Sequence, residues 1–320
     1  MSVVMSRVFF FCLLIAGHLC GQALSVPSRE VRVEQVQGTS VPKWEHGHLV
    51  WWDLNTATVF AANGSGRVSL QCRIWPERSS TVHIMDLSAS PEGGFAVAFT
   101  ALNNAGAPAG FIAWLEETGK TGKLVQLDSA GAFKISFAKD GSLWALVRQH
   151  DEFYNDATGY DMLRHYDQNG TLVGTALPRK IFTRKQYPDG PHASLSVSRD
   201  RIGVYIAPSR TWVELSLSGE ILGHWSLPDK KAEFTRVFLS ESNNIYISTQ
   251  ERPNPKEMAV EFGLYKFDRT SGSIVPINVS AAEGEDIGKL RVRGVDGDQL
   301  VVSRSSSSPM LKWVSVEFRQ

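Results

Sequence analysis

"KISFAKDGSLWALV" (134–147) is an alternating run, a tight polar turn and a nearly continuous apolar run. Alternation predicts a strand with one buried face. Asp140-Gly141 is a strong turn signal, and the unbroken apolar run predicts a strand covered on both faces. The same pattern recurs in "VPKWEHGHLVWW" (41–52), "DLSASPEGGFAVAF" (86–99), "SLSVSRDRIGVYI" (194–206), "RVFLSESNNIYIS" (236–248) and "LRVRGVDGDQLVVS" (290–303). With the opening stretch these are six copies. Most are followed by a third strand and, across a glycine-bearing turn, a fourth, as in "FIAWLEETGKTGKLVQL" (111–127) and "WVELSLSGEILGHWSL" (212–227). Four antiparallel strands per unit, at a period of roughly 50 residues, predict an all-β, six-bladed β-propeller.

The two ends of the chain complement each other. The sixth unit stops at a third strand, "LKWVSVEF" (311–318), while "VRVEQV" (31–36) is an alternating strand that belongs to no unit. The N-terminal strand is therefore expected to complete the last blade, which removes exposed strand edges.

Before that strand, the apolar stretch "VFFFCLLIAG" (8–17) follows Arg7, and Gly21-Gln22-Ala23 places small residues where a signal peptidase reads. The stretch is shorter than the about 20 apolar residues that a membrane span needs. The expected organisation is a signal peptide over 1–23, cleaved after Ala23, and a single propeller domain over 24–320 in a secreted or periplasmic protein. Cys12 and Cys20 leave with the signal, so Cys72 stands alone and the core, not disulfides, must hold the fold. Hydrophobic residues make up 42% of the chain, with nine tryptophans, which is ample for that. The charges balance at 33 basic and 33 acidic residues, so no overall field favours nucleic acid or an anionic membrane.

Six four-stranded units with a "DG"-type turn between the first two strands resemble the six-bladed propellers grouped as NHL-repeat and gluconolactonase-like proteins. In the latter group, an opening Glu-Gly-Pro-x-Trp segment supplies a metal-binding glutamate near the axis. The matching stretch here is Ser40-Val41-Pro42-Lys43-Trp44. Pro42 and Trp44 agree with the motif, and Ser40 stands at the glutamate position. The resemblance thus implies the scaffold without that metal ligand, and no cofactor or metal is expected.

In a propeller the first strand of each blade lines the central channel. Aligning the six turns places Ser40, Asp86, Lys134, Ser194, Arg236 and Arg291 at one level, with His83 and His192 near the mouth. One carboxylate among three cations suits an anion better than a hard cation. The plain alternative is a satisfied network in which Asp86 pairs with Lys134 or Arg236. Three long connections, 149–161, 178–192 and 250–262, are expected on one face, where Tyr154, Arg184, Tyr187 and His192 are candidate contacts. Trp114, Trp212 and Trp313, with Tyr265, are expected to pack between blades.

The sequence contains no Gly-x-Ser-x-Gly elbow, no His-Glu-x-x-His and no cysteine pair. The leading expectation is a non-enzymatic module that binds a protein, peptide or glycan through its loop-rich face; a small anion at the channel is a further candidate partner. The alternative is a hydrolase or lyase of a small anionic substrate, such as a sugar acid or lactone, at the channel mouth.

Overall fold

In the computed structural model, 130–149 forms the hairpin expected of the opening stretch. The turn at 138–142 closes through Ala138 N–H to Ser142 O (2.8 Å) and Gly141 N–H to Ala138 O (3.0 Å). Gly141 adopts a φ of +80°, a left-handed conformation that glycine reaches without a Cβ penalty. The Asp140 carboxylate accepts from the Ser142 N–H and hydroxyl at 2.9 and 2.6 Å, which fixes the turn. The structure describes residues 21–25, 27–34, 36, 38, 40–74, 82–102, 106–149, 157, 159–182, 193–228, 233–251, 261–278, 290–304 and 306–319.

The chain is all-β, built of curled antiparallel sheets. Two short segments come first: β1 (Gly21–Leu24) and β2 (Arg29–Arg32). The first meander is β3 (Lys43–Glu45), β4 (His48–Asp53), β5 (Thr58–Asn63) and β6 (Val68–Arg73). It is followed by β7 (Val82–Ala89), β8 (Phe95–Leu102), β9 (Pro108–Leu115) and β10 (Thr121–Leu127), and then by β11 (Ala130–Phe137), β12 (Leu143–Gln149), β13 (Asp161–Tyr166) and β14 (Leu172–Pro178). The next is β15 (Ser194–Val197), β16 (Arg201–Ile206), β17 (Thr211–Ser216) and β18 (Ile221–Ser226). After it come β19 (Glu233–Leu239), β20 (Ile245–Glu251), β21 (Glu261–Asp268) and β22 (Ser273–Asn278). The chain closes with β23 (Leu290–Asp296), β24 (Gln299–Arg304), β25 (Met310–Val314) and β26 (Val316–Arg319). Among the described residues the only helical turns are 3₁₀ segments at Arg179–Ile181 and Ala207–Ser209.

The second strand of each meander alternates between two cores. Phe95, Val97 and Phe99 of β8 join a cluster with β5 and β7, whereas Ala96 and Ala98 join one with β11 and β12. Further clusters link the β11–β14 and β15–β18 sheets, then β15–β18 and β19–β22, then β19–β22 and β23–β25. A last cluster, with Trp44, Trp51, Val301 and Trp313, joins β23–β25 back to the first meander. Each sheet is thereby glued on both faces, which is why its middle strands are apolar at consecutive positions. Trp51, Trp212 and Trp313 are fully buried, and each removes on the order of 200 Å² from water, an upper bound of about 5 kcal/mol apiece. Trp114 meets Tyr166 of the following sheet edge to face, with ring centroids 5.8 Å apart, and Trp313 meets Trp44 at 5.0 Å.

The ends pair, with two differences from the sequence expectation. The N-terminal strand next to β25 starts earlier, pairing Arg29 with Trp313 and Arg32 with Met310, and hydrogen bonds continue from Val33 N–H to Pro309 O and Val36 N–H to Ser307 O. The run 311–318 is not one strand. It breaks at Ser315, whose N–H donates to Ser25 Oγ (2.9 Å), and its tail β26 pairs with β1. β1 in turn lies parallel to β22, with Gln22 and Ala23 buried. Residues 1–20 lie outside the described residues, and the expected cleavage position after Ala23 falls inside β1.

Candidate functional site

The first strands β3, β7, β11, β15, β19 and β23 contribute to the wall of one cavity of about 230 Å³. In β7, β11 and β19 the register against the second strand slips at the same place, between Ile84 and Asp86, Ala132 and Lys134, and Phe234 and Arg236. A bulge re-aims the side chain beside it. The first residue after each of these bulges is a charged one, and Asp86, Lys134 and Arg236 all line the cavity.

Neighbouring first strands are stitched by side chains rather than by a ladder. Asp86 Oδ2 accepts the Ile135 N–H (2.9 Å) and Ser88 Oγ accepts the Phe137 N–H (3.2 Å). Two sheets further on, Ser194 Oγ accepts the Val237 N–H (3.0 Å) and Ser196 Oγ the Leu239 N–H (3.1 Å). These bonds satisfy edge N–H groups that would otherwise be stranded next to the cavity.

The expected ring is corrected at two positions. Ser40 does not reach the cavity: its hydroxyl accepts the Trp52 N–H (2.7 Å) and its own N–H donates to Trp52 O (3.0 Å). Lys43 takes that place. Arg291 is not in the wall; its guanidinium lies 4.5 Å from the centre of the Phe262 ring, and Arg293 lines the cavity instead. Both corrections have one cause. The first and last meanders turn through two residues, His46-Gly47 and Gly297-Asp298, where the others use longer turns. Their strands run closer to the tip, so the wall-lining residue comes later in the sequence. His83 is exposed on β7. Tyr154, Arg184, Tyr187 and His192, with most of the three long connections, lie outside the described residues.

Asp86 is 3% exposed and pairs with neither Lys134 nor Arg236. Its partner is Lys43, whose Nζ lies 3.2 Å from Oδ1 and from Oδ2, 3.3 Å from Glu45 Oε2 and 3.4 Å from Ile135 O. Glu45 Oε1 in turn accepts the Ser136 hydroxyl (2.7 Å). Burial opposes the Lys43 charge, but Asp86 and Glu45 more than offset it and hold its pKa above that of an ordinary lysine.

The remaining cations have no such partner. Arg236 donates only to backbone carbonyls, Val41 O at 3.0 Å and Pro42 O at 3.4 Å. Arg293 is 3% exposed; its Nε donates to Ser303 Oγ (2.7 Å), and its buried Nη1 has no acceptor among the described residues. Burial, reinforced by Arg236 and Arg291, pulls the Arg293 pKa down to about 9, so it is still cationic at pH 7. Lys134 is half-buried, with no hydrogen bond or ion pair among the described residues. Its pKa is lowered by burial, against the attraction of Asp86 and with further lowering from Arg236 and Lys43. No group of three or more potential metal ligands occurs among the described residues.

No protein-family model matches this chain, and no curated protein matches it by sequence. Solved structures do match. A member of the DUF4221 family from Bacteroides vulgatus superposes with a TM-score of 0.57 at 8% identity, over 94% of this chain and 99% of its own. A Bacteroides fragilis protein described as a "putative exported protein" gives 0.53 at 10% identity, over 92% and 95%. Regucalcin, a calcium-binding protein of Agrobacterium tumefaciens, aligns more loosely, with a TM-score of 0.49 at 12% identity over 90% and 95%. At these identities the likeness is one of fold. Among the described residues no helix is long and apolar enough to cross a membrane.

Proposed function

We propose that this chain is an exported, six-bladed propeller that acts as a binding module for a small anionic ligand held in the axial cavity. The six-bladed reading is supported by six successive meanders, the last and first of which the β23–β3 bridge joins into one eight-stranded sheet, and by hydrophobic clusters that link neighbouring meanders. Export is supported by the leader-like segment at 8–17 and by the description of the B. fragilis neighbour.

The ligand class rests on one observation: Lys134, Arg236 and Arg293 line the cavity with no carboxylate in ion-pair contact, while the one deeply buried carboxylate there, Asp86, is taken by Lys43. Uncompensated charge in a semi-enclosed site is costly unless a counter-charge arrives. An anion supplies it.

The test is a thermal-shift titration at low ionic strength with malonate, citrate and phosphate, beside calcium and neutral sugars as controls. The anions are expected to raise Tm with concentration as linkage requires, and Arg293→Met is expected to abolish the rise. Stabilisation by calcium alone would overturn the proposal.

A further inference from the structure

Lys134 stands apart from the other cavity cations. Lys43 is committed to Asp86 and Glu45, Arg236 to the carbonyls of residues 41 and 42, and Arg293 in part to Ser303. Lys134 is the one cavity amine with no acceptor among the described residues, and it is held on the first residue after a bulge. The groups around it are Lys43, Asp86, Ser136 and Arg236, with Glu45 and Arg293 further along the same wall. That balance of charge favours the neutral amine, which is the nucleophilic form, as in lysines desolvated beside a second cation.

Resting on the anion-binding reading above, we infer that Lys134 is a carbonyl-reactive amine and that the cavity captures small 2-oxo or aldehydic acids as a reversible imine. Arg236, which lines the cavity with Lys134 and, among the described residues, donates only to two backbone carbonyls, would take the carboxylate and leave the carbonyl carbon facing Lys134 Nζ. A cavity of about 230 Å³ has room for a small acid of this kind.

The reaction balances without an oxidant or reductant. The Nζ lone pair forms a C–N bond to the carbonyl carbon, and the π pair moves to oxygen, which takes a proton from solvent to give a carbinolamine. Nitrogen gives up one proton as the carbinolamine forms; the hydroxyl then takes a second proton from solvent and leaves as water as the C–O bond breaks, and the resulting protonated imine returns its remaining N–H proton to solvent. The product is the imine, and hydrolysis reverses each step.

The experiment uses the full mature chain with glyoxylate and cyanoborohydride at pH 7, followed by peptide mapping by mass spectrometry. A parallel arm uses acetaldehyde, which is neutral and of similar size. Lys120, whose side chain is 77% exposed, is the internal reference. Glyoxylate is expected to label Lys134 at least about tenfold faster than Lys120, because more of its amine is neutral at this pH. Acetaldehyde is expected to discriminate less, and Arg236→Met to reduce the glyoxylate preference. Labelling of Lys134 no faster than Lys120 in the wild type would overturn the inference without any variant having to fold. Equal preference for acetaldehyde would overturn its anionic half. Malonate thermal shifts on the same samples separate the two proposals: stabilisation without selective labelling leaves binding standing, whereas no stabilisation by any anion overturns both.

Discussion

Two clusters of charge in this molecule are built on opposite plans. Around Glu214, at the boundary of the β15–β18 and β19–β22 sheets, the carboxylate is 0% exposed and both of its oxygens are held by cations. Arg201 Nη1 sits 2.9 Å from Oε2, while Arg269 Nε and Trp212 Nε1 each donate to Oε1 at 2.8 Å. Arg269 Nη2 is 2.6 Å from the same oxygen. In the axial cavity Lys43 closes off Asp86 and Glu45, Glu241 and Asp296 also line the wall, and Lys134, Arg236 and Arg293 make no ion pair among the described residues. A buried charge that serves only the fold is closed by its own chain. A charge left open at a cavity wall costs stability, and its persistence points to something that arrives from outside.

The largest test of that contrast is Glu214→Ala, which strands two guanidinium groups and an indole N–H. It is expected to lower unfolding free energy in denaturant by about 3–5 kcal/mol; a loss under about 1 kcal/mol would erase the distinction between the clusters.

A second test uses a buried group that the fold keeps neutral. Burial, with a smaller contribution from Asp298, pushes the Tyr246 pKa up to about 12. For a raised acid the stabilisation is full below its unfolded value near 10 and is lost as pH rises towards 12. The tyrosine is thus expected to remove roughly 2–3 kcal/mol over that interval. Tyr246→Phe should flatten this alkaline limb in a pH series of denaturation curves and leave neutral stability little changed.

Third, Gly294→Ala should cost about 1–3 kcal/mol, because a Cβ there would lie 2.2 Å from Trp44 O where β23 bridges to β3. Smallest is Lys134→Met, expected to be neutral to about 1 kcal/mol stabilising at pH 7, since it removes a desolvated cation. Marked destabilisation would mean that Lys134 belongs to the fold like Arg201 and Arg269.

Much of the architecture was legible in the sequence because burial on two faces writes itself as unbroken apolar runs such as 95–99 and 143–147, punctuated by turn residues with left-handed glycines. Asp86, Lys134, Ser194 and Arg236 could be aligned because their turns have similar length. Lys43 and Arg293 were missed because counting back from a turn presumes one turn geometry, and Gly47 and Gly297 mark tighter hairpins; reading those as two-residue turns leads to Arg293 but still falls one residue short of Lys43. The Lys43–Asp86 pair was hidden for the same reason, its lysine being off register. The bulges before Asp86, Lys134 and Arg236 leave no shared sequence mark, the preceding pairs being Ile84-Met85, Ala132-Phe133 and Phe234-Thr235. The break at Ser315 was masked by the apolar residues on both sides of it, and the Glu214 clamp by its dispersal across residues 201–269.

The pairing of β2 with β25 sets when the molecule can finish folding. Ser28 N–H donates to Trp313 O at 2.9 Å, and Arg29 lies over the Trp313 ring at 4.5 Å, so residues near one terminus await partners that are synthesised last. Closing so long a loop slows the final step relative to hairpin formation. Refolding followed by tryptophan fluorescence should therefore show early local signals and a late phase specific to Trp313, which deletion of residues 29–32 would remove.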